Sequence, residues 1–413
     1  MRTKIWRVSS IGAVLISLLF SACGSADAGE DETILDSGIH DSGEKVDAGH
    51  EFDGGVETDA GPPEGDIYET VLADLAATCE PGRTIMINGD LPEGFDSFTS
   101  FYNYTFTSDC PDTWGENGHW HRGLMRVFSL GDRTQSSQQA DPDDDDIIFI
   151  SYTAADHKWV HNSKTGVRDS NDHHPYSQMV LDEKRDKYYR IRSNAVWIYD
   201  IHSDPTGDYE GPEAWTRIDH DFPAGSNSPK EMHELLDRII MADNNGNVYS
   251  VNPDDFADEQ VLGTRTGHSG YQSLMTYNRT RGELMWYGGT NSDGLKVTLV
   301  DKEGNLIEKA DAPESVGRGI SRRSLSYDPV SGNYLLISRR HEDEFRVLWE
   351  YSPDQDKWEI ARNWTTDEEI KGDWPGPYCG NVLIPIDELG VVLWVTRYGP
   401  RLYKHESVFS SED

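Results

Sequence analysis

Positive charge is what this sequence has least of: 37 Lys and Arg stand against 74 Asp and Glu in 413 residues, a formal charge of −37. Phosphate contacts supply most of the affinity for nucleic acid, so this balance argues against a nucleic-acid partner. Cysteine is nearly as scarce, with four in the chain. None of the four stands in metal-ligand spacing, which removes a thiolate metal centre from consideration. Apolar runs are short. The one near the start, Ile11 to Phe20, falls below the ~20 residues a mature spanning helix needs. From Gly24 to about Asp66 aromatic residues are almost missing too, and a segment of Asp, Gly, Glu, Ala and Ser cannot bury enough apolar surface to offset its ordering entropy.

Those shortages divide the chain. Residues 1–22, with a basic start (Arg2, Lys4, Arg7) ahead of the apolar run, read as a secretory signal. The stretch Leu18-Leu19-Phe20-Ser21-Ala22-Cys23 resembles a bacterial lipoprotein signal, an ordinary signal with an incidental Cys being the alternative. The resemblance implies that Cys23 becomes a lipidated first residue, and Gly24 in place of Asp implies an outer-membrane or surface destination. Residues 23–66, with the near-repeats Asp36-Ser37-Gly38, Asp41-Ser42-Gly43, Asp47-Ala48-Gly49 and Asp59-Ala60-Gly61, are expected to be a disordered acidic tether. Its reach is on the order of 35 Å. Residues 67–413 keep −27 of the formal charge and nearly all of the aromatic residues, enough for a sizeable core in one domain.

What is present in that domain is a recurrence. Polar clusters rich in His, Arg and Tyr stand ahead of apolar runs: His119-Trp120-His121-Arg122 before Gly123 to Phe128, and His173-His174-Pro175-Tyr176 before Ser177 to Leu181. Lys230-Glu231-Met232-His233 precedes Glu234-Leu235-Leu236, His268-Ser269-Gly270-Tyr271 precedes Gln272 to Met275, Arg322-Arg323 precedes Ser324 to Tyr327, and Pro377-Tyr378-Cys379 precedes Gly380 to Ile384. The period is roughly 50 residues, the length of a four-stranded propeller blade. Within one unit, Ser177–Leu181, Lys187–Arg192, Asn194–Asp200 and Ala214–Ile218 read as four strands. In the next, Asn244-Asn245-Gly246 reads as a hairpin turn needing positive φ, and not as a calcium loop, because Gly sits at the wrong offset and no closing Glu follows.

Two strands, then Tyr-Asp or Tyr-Ser-Pro-Asp closing a third (Tyr199-Asp200, Tyr351-Ser352-Pro353-Asp354), then Trp (Trp215, Trp358), together with Tyr287-Gly288-Gly289, resemble a kelch repeat. That is the blade type of galactose-oxidase-like propellers, and the resemblance covers about residues 120 to 405. It implies an all-β fold, a single propeller of six or seven four-stranded blades, closed by strands from both termini. The last unit stops one strand short, which leaves room for an N-terminal strand such as Thr84 to Ile87 as the clasp. With Cys23 lipidated, pairing Cys79 with Cys110 is expected. It closes a loop of about 30 residues and stabilises by about 3 to 4 kcal/mol in the chain-entropy model; a bond from Cys379 to either is the alternative.

If every blade opens on its polar cluster, the clusters meet at one mouth. Cations would then focus anionic ligands there against an acidic background. Carboxylate groups suit Arg forks, and Tyr and Trp suit sugar faces. The expected partner is an acidic polysaccharide or a surface protein, with the membrane engaged through the N-terminal lipid and the protein a monomer. Whether the chain is an enzyme is left open. β-Elimination next to a uronate needs a base, an acid and a cation over the carboxylate, and several propeller polysaccharide lyases look like this in residue type. His121 or His174 as base, Tyr176 or Tyr271 as acid, and Arg322 or Arg323 as neutraliser meet those needs. His119, Arg122, His173, His233, His268, Arg318 and Tyr378 complete the expected ligand-binding set. No cofactor is identified. Three or four of the imidazoles could hold a transition metal, which makes a metal-dependent oxidoreductase the third class after glycan-active propeller and protein-interaction scaffold.

Overall fold

The computed structural model describes residues 66–105, 118–132, 147–165, 179–203, 215–225, 228–270, 273–289, 295–314, 324–340, 344–363, 382–396 and 399–409. They form six antiparallel four-stranded sheets. Strand β1 (Thr84–Met86) comes first. Blade 1 is β2 (Gly118–His121), β3 (Arg126–Asp132), β4 (Ile147–Thr153) and β5 (Lys158–Thr165); blade 2 is β6 (Met179–Asp182), β7 (Lys187–Ile191), β8 (Ala195–Asp200) and β9 (Trp215–Asp219). Blade 3 is β10 (Lys230–His233), β11 (Arg238–Ala242), β12 (Asn247–Asn252) and β13 (Asp255–Thr264), and blade 4 is β14 (Ser273–Asn278), β15 (Glu283–Gly288), β16 (Val297–Val300) and β17 (Leu306–Lys309). Blade 5 is β18 (Ser324–Tyr327), β19 (Tyr334–Arg340), β20 (Glu344–Ser352) and β21 (Lys357–Asn363); blade 6 has β22 (Val382–Ile386), β23 (Val391–Thr396) and β24 (Gly399–Tyr403). Inner strands touch in the cyclic order β2, β6, β10, β14, β18, β22 and back to β2. The chain is a six-bladed β-propeller.

The clasp is where the short last repeat implies it. Strand β1 supplies the fourth strand of blade 6, with Thr84 opposite Tyr403 and Met86 opposite Arg401. Gly399, at φ +126°, lets Met86 lie close: a Cβ at that position would stand 2.7 Å from the Met86 sulfur. Ahead of β1, Thr70 caps helix α1 (Val71–Thr78) by accepting the Ala73 N–H, which satisfies one of the orphan donors of the first turn. Helix α2 (Phe98–Thr105) sets Phe98 and Phe101 against Trp159 of blade 1, with ring centroids 5.1 and 6.1 Å apart.

Each blade junction has its own apolar layer. Side chains alternate across a strand, so the two faces of a blade feed different neighbours. Met179 and Leu181 point to Phe128 and Phe149 of blade 1, while Val180 packs with Met232, Ile239 and Met241 of blade 3. Both faces being covered explains why most strands read as continuous apolar runs.

The register expected for blades 1 and 3 is corrected. The polar clusters His119-Trp120-His121 and Lys230 to His233 are themselves the inner strands, and Arg122–Met125 and Glu234–Asp237 are turns rather than strands. Apolar turn residues misled the pattern: Leu124 and Leu236 pack against the junction cores even though the backbone is turning.

Candidate functional site

All six inner strands run the same way, so the ring has an entry end, where chain enters β2, β6, β10, β14, β18 and β22, and an exit end, where the first hairpin of each blade turns. The exit turns share a construction. The residue closing the strand accepts the backbone N–H three positions on: His121 Nδ1 from Leu124 (3.2 Å), Asp182 from Arg185 (3.2 Å), His233 Nδ1 from Leu236 (3.3 Å), Asn278 from Arg281 (3.3 Å) and Asp328 from Ser331 (2.9 Å). A left-handed residue follows in each: Met125, Asp186, Asp237, Gly282 and Gly332. His121 and His233 are therefore turn caps, doing what Asp and Asn do elsewhere. His121 is further held through Nε2 to Asp186 at 2.8 Å. Burial lowers its pKa, against the pull of Glu183 and Asp186.

The residue after the cap points to the axis, and here a polar ring forms. Arg279 of blade 4 donates Nε to Glu234 (2.5 Å) and Nη2 to Glu183 (2.7 Å), while Nη1 reaches the Trp120 carbonyl (3.3 Å) and Asp387 (3.4 Å). Arg122 donates to Glu183 at 2.7 Å and Glu234 at 3.1 Å. Tyr327 donates to Asp387 at 2.7 Å and the Trp120 indole to Glu388 at 2.9 Å. Burial works against the Arg279 charge, yet Glu183 and Glu234 raise its pKa above the ordinary range. Burial likewise opposes the Glu183 charge, and Arg279 and Arg122 outweigh it, so its pKa is lowered. Every cation in this ring is matched by carboxylates, and the axis is stoppered at the exit end.

Above the stopper lies an axial chamber of about 70 Å³, lined from all six blades. Such a volume admits a few waters or one small chemical group, not a sugar ring. His119 is on its wall, with Nδ1 3.0 Å from the Tyr188 hydroxyl and Nε2 3.5 Å from Glu231. Burial and the Glu231 charge raise the Tyr188 pKa, so the phenol stays protonated beside Nδ1. Glu234, Thr276, Tyr277, Arg279 and Tyr327 are also on the polar lining, and Met232, Met275 and Leu325 are among its apolar residues.

The expected single mouth thus resolves into different places. His119 is in the chamber, His121, Arg122 and His233 belong to the exit turns, and His268 stands ahead of β14 at the entry end. His268 is buried and stacked on Trp286 at 3.6 Å, and among the described residues neither ring nitrogen has a hydrogen-bond partner. Burial, with help from Arg265 and Lys296, pushes its pKa down to about 3. His173, His174, Tyr176, Tyr271, Arg318, Arg322, Arg323, Tyr378, Cys23 and Cys110 lie outside the described residues. Cys79 is buried with its thiol donating to the Arg83 carbonyl at 3.4 Å, and no disulfide is found among the described residues. Among those residues no three metal-ligating side chains converge. Sequence reasoning missed Glu183, Glu231, Glu234, Arg279 and Asp387. The signal was a charged residue directly after the cap in successive repeats (Arg122, Glu183, Glu234, Arg279).

Near the entry end Arg190, Arg192 and Lys230 are buried. Arg190 and Arg192 stand over the Trp197 ring at 5.8 and 5.9 Å, and the Lys230 ammonium donates to the carbonyls of Gly225 (3.0 Å) and Ser228 (2.8 Å).

No family model matches the chain, and no curated protein does. Solved structures resemble it at low identity. A Bacteroides thetaiotaomicron protein of unknown function is 11% identical at a TM-score of 0.44, over 78% of this chain and 75% of that one. A fungal alcohol oxidase of the AA5 family, in complex with copper, is 8% identical at 0.40, over 70% of this chain and 73% of that one. A chain of a mitotic checkpoint complex is 12% identical at 0.41, over 79% of this chain and 95% of that one.

Proposed function

We propose that this is an exported, lipid-anchored glycan-recognition propeller that takes an acidic polysaccharide at its entry end. The supporting observation is the set of residues that the sequence places where the inner strands begin, at the entry end. At the exit, Arg122 and Arg279 already face Glu183, Glu234 and Asp387, carboxylates that oppose an anion. In the sequence Arg322 and Arg323 directly precede the first residue of β18, and Tyr271 stands two residues before β14. On this reading these positions share one mouth. Cleavage by β-elimination is the catalytic form of this reading: a base takes the proton next to the uronate carboxylate, the glycosidic C–O bond breaks, and an unsaturated uronate results. His174, Tyr176 and Tyr271 remain the proposed acid and base groups, with Arg322 and Arg323 over the carboxylate. His121 drops out as base because both of its ring nitrogens serve the turn.

A second reading, a protein-interaction scaffold, draws on one observation. Leu235 and Val330, at the tips of exit turns, are 62% and 69% exposed.

The deciding experiment incubates the protein with uronate-containing and neutral polysaccharides, following glycan depletion and the ultraviolet absorbance of unsaturated uronate. New absorbance identifies a lyase, binding alone identifies a recognition module, and the absence of both favours the scaffold. Replacing Arg322 and Arg323 together with Ala is expected to weaken polyuronate binding about tenfold or more, the loss of two charge-assisted forks, with the melting temperature unchanged. Unaltered binding in that variant would sink the role given to these two residues.

A further inference from the structure

We infer that the axial chamber is a binding site for a primary ammonium group, with Glu231 as its anchor. The charges around the chamber point this way. Arg279 spends its donors on Glu234, Glu183, Asp387 and the Trp120 carbonyl, and Arg122 spends its own on Glu183 and Glu234. Glu234 is therefore compensated twice. Glu231 is different: among the described residues it meets no Lys or Arg, one of its oxygens accepts only the N–H of Met232 (3.0 Å), and the other lies 3.5 Å from His119 Nε2. The His119 ring, hydrogen-bonded through Nδ1 to the Tyr188 hydroxyl, stands on the wall beside that carboxylate. A carboxylate with 12% of its side chain exposed and no Lys or Arg beside it among the described residues is costly where water is largely excluded, and a small cation offsets that cost.

The remaining lining selects among cations. No third carboxylate or imidazole converges with Glu231 and His119 among the described residues, so a hard divalent ion would lack the six or more oxygens it needs. An ammonium needs fewer. Glu231 supplies charge, the hydroxyl of Thr276 supplies an acceptor on the lining, and the ring of Tyr277 and the sulfurs of Met232 and Met275 offer polarisable surface of the kind that suits an alkylammonium. A carboxylate entering the chamber would instead meet Glu231 and Glu234. An acidic glycan must therefore lie across the entry end and insert a different group.

This deepens the glycan reading, on which its substrate class rests: an acidic polysaccharide that also carries free amino sugars. The experiment measures binding of glucosamine, N-acetylglucosamine, glucose and an amine-free polyuronate to the full protein by calorimetry. Glucosamine is expected to bind at least about tenfold more tightly than N-acetylglucosamine, the worth of one partly buried ion pair. That preference should vanish in Glu231→Gln, and in the unaltered protein as pH rises past the amine's own titration. Glu231→Asp, which keeps the charge, should retain part of it and decides the matter if the Gln variant fails to fold. Equal binding of the two sugars, or a preference that survives Glu231→Gln, overturns the inference. Polyuronate binding without a glucosamine preference removes the chamber site alone. A glucosamine preference without polyuronate binding removes the acidic-glycan reading and leaves the chamber site standing.

Discussion

At the exit turns an imidazole nitrogen, a carboxylate oxygen and an amide oxygen are interchangeable, because each presents a planar acceptor to the N–H three residues on. Replacing His121 with Asn should therefore keep the cap and give up only the Asp186 bond, costing less than Ala, which should cost about 1 kcal/mol or more for the unmade bonds; urea unfolding of both variants compares them. Equal loss in the two would refute the cap assignment. His268 makes a different prediction. Its folded-state pKa of about 3 lies below the ordinary 6.5, so the unfolded chain takes up the proton first. Stability it contributes is complete above pH 6.5 and is lost as pH falls toward 3, at up to about 1.4 kcal/mol per pH unit. His268→Gln should flatten that fall, seen by comparing unfolding free energies at pH 7 and 4.5, where the shared carboxylate contributions cancel. That polar residues recur at fixed positions was legible in the sequence. That two of the histidines cap turns was not, since His serves turns and sites with the same nitrogens.

The strands themselves were legible because apolar runs end in strong turn chemistry. In blade 3 the Asp243 carboxylate accepts the N–H groups of Asn245 and Asn247 at 2.8 Å each around Gly246 at φ +84°, so the hairpin falls where Asn-Asn-Gly marks it. One element could not be read from pattern. After β24 the chain runs onto blade 5, where Glu350, wholly buried, accepts from Asn333 (2.6 Å), Ser407 (2.5 Å) and the Val408 N–H (2.9 Å), with His405 Nε2 3.1 Å away. This strap joins blades 5 and 6 beside the β1 clasp. Nothing in Glu350's neighbours along β20 marks it as a buried carboxylate, because its donors come from other parts of the chain. Glu350→Ala should cost about 3 kcal/mol or more by leaving those donors unmet. Burial opposes the Glu350 charge, yet His405 and the donors around it outweigh burial, and its pKa is lowered. Its contribution is accordingly present above the ordinary 4.5 and is lost as pH falls through the lower folded value. Denaturation of the variant and the parent at pH 7 and pH 3 should show the gap closing in acid, and a constant gap would contradict the assignment.

For the whole molecule the exit ring is the decisive tertiary feature, since it ties residues of all six blades together around the axis. Arg279 is its hub. Arg279→Met would leave Glu183, Glu234 and Asp387 facing one another across a buried space, at a cost of about 3 to 5 kcal/mol near neutral pH. The cost should shrink in acid as those carboxylates take up protons. A melting temperature at pH 7 equal to that of the parent would show that the ring contributes nothing net. The sequence by itself determined the strand-rich repeats, as six or seven blades, the turns between their strands and the unfinished last blade that calls for β1, because each depends on contacts a few residues apart. Which residues share a place was decided only by closure of the ring. His119 and Glu231, or Glu183 and Arg279, are separated by one or two blades along the chain and meet because six inner strands converge on one axis, a condition that no local periodicity records.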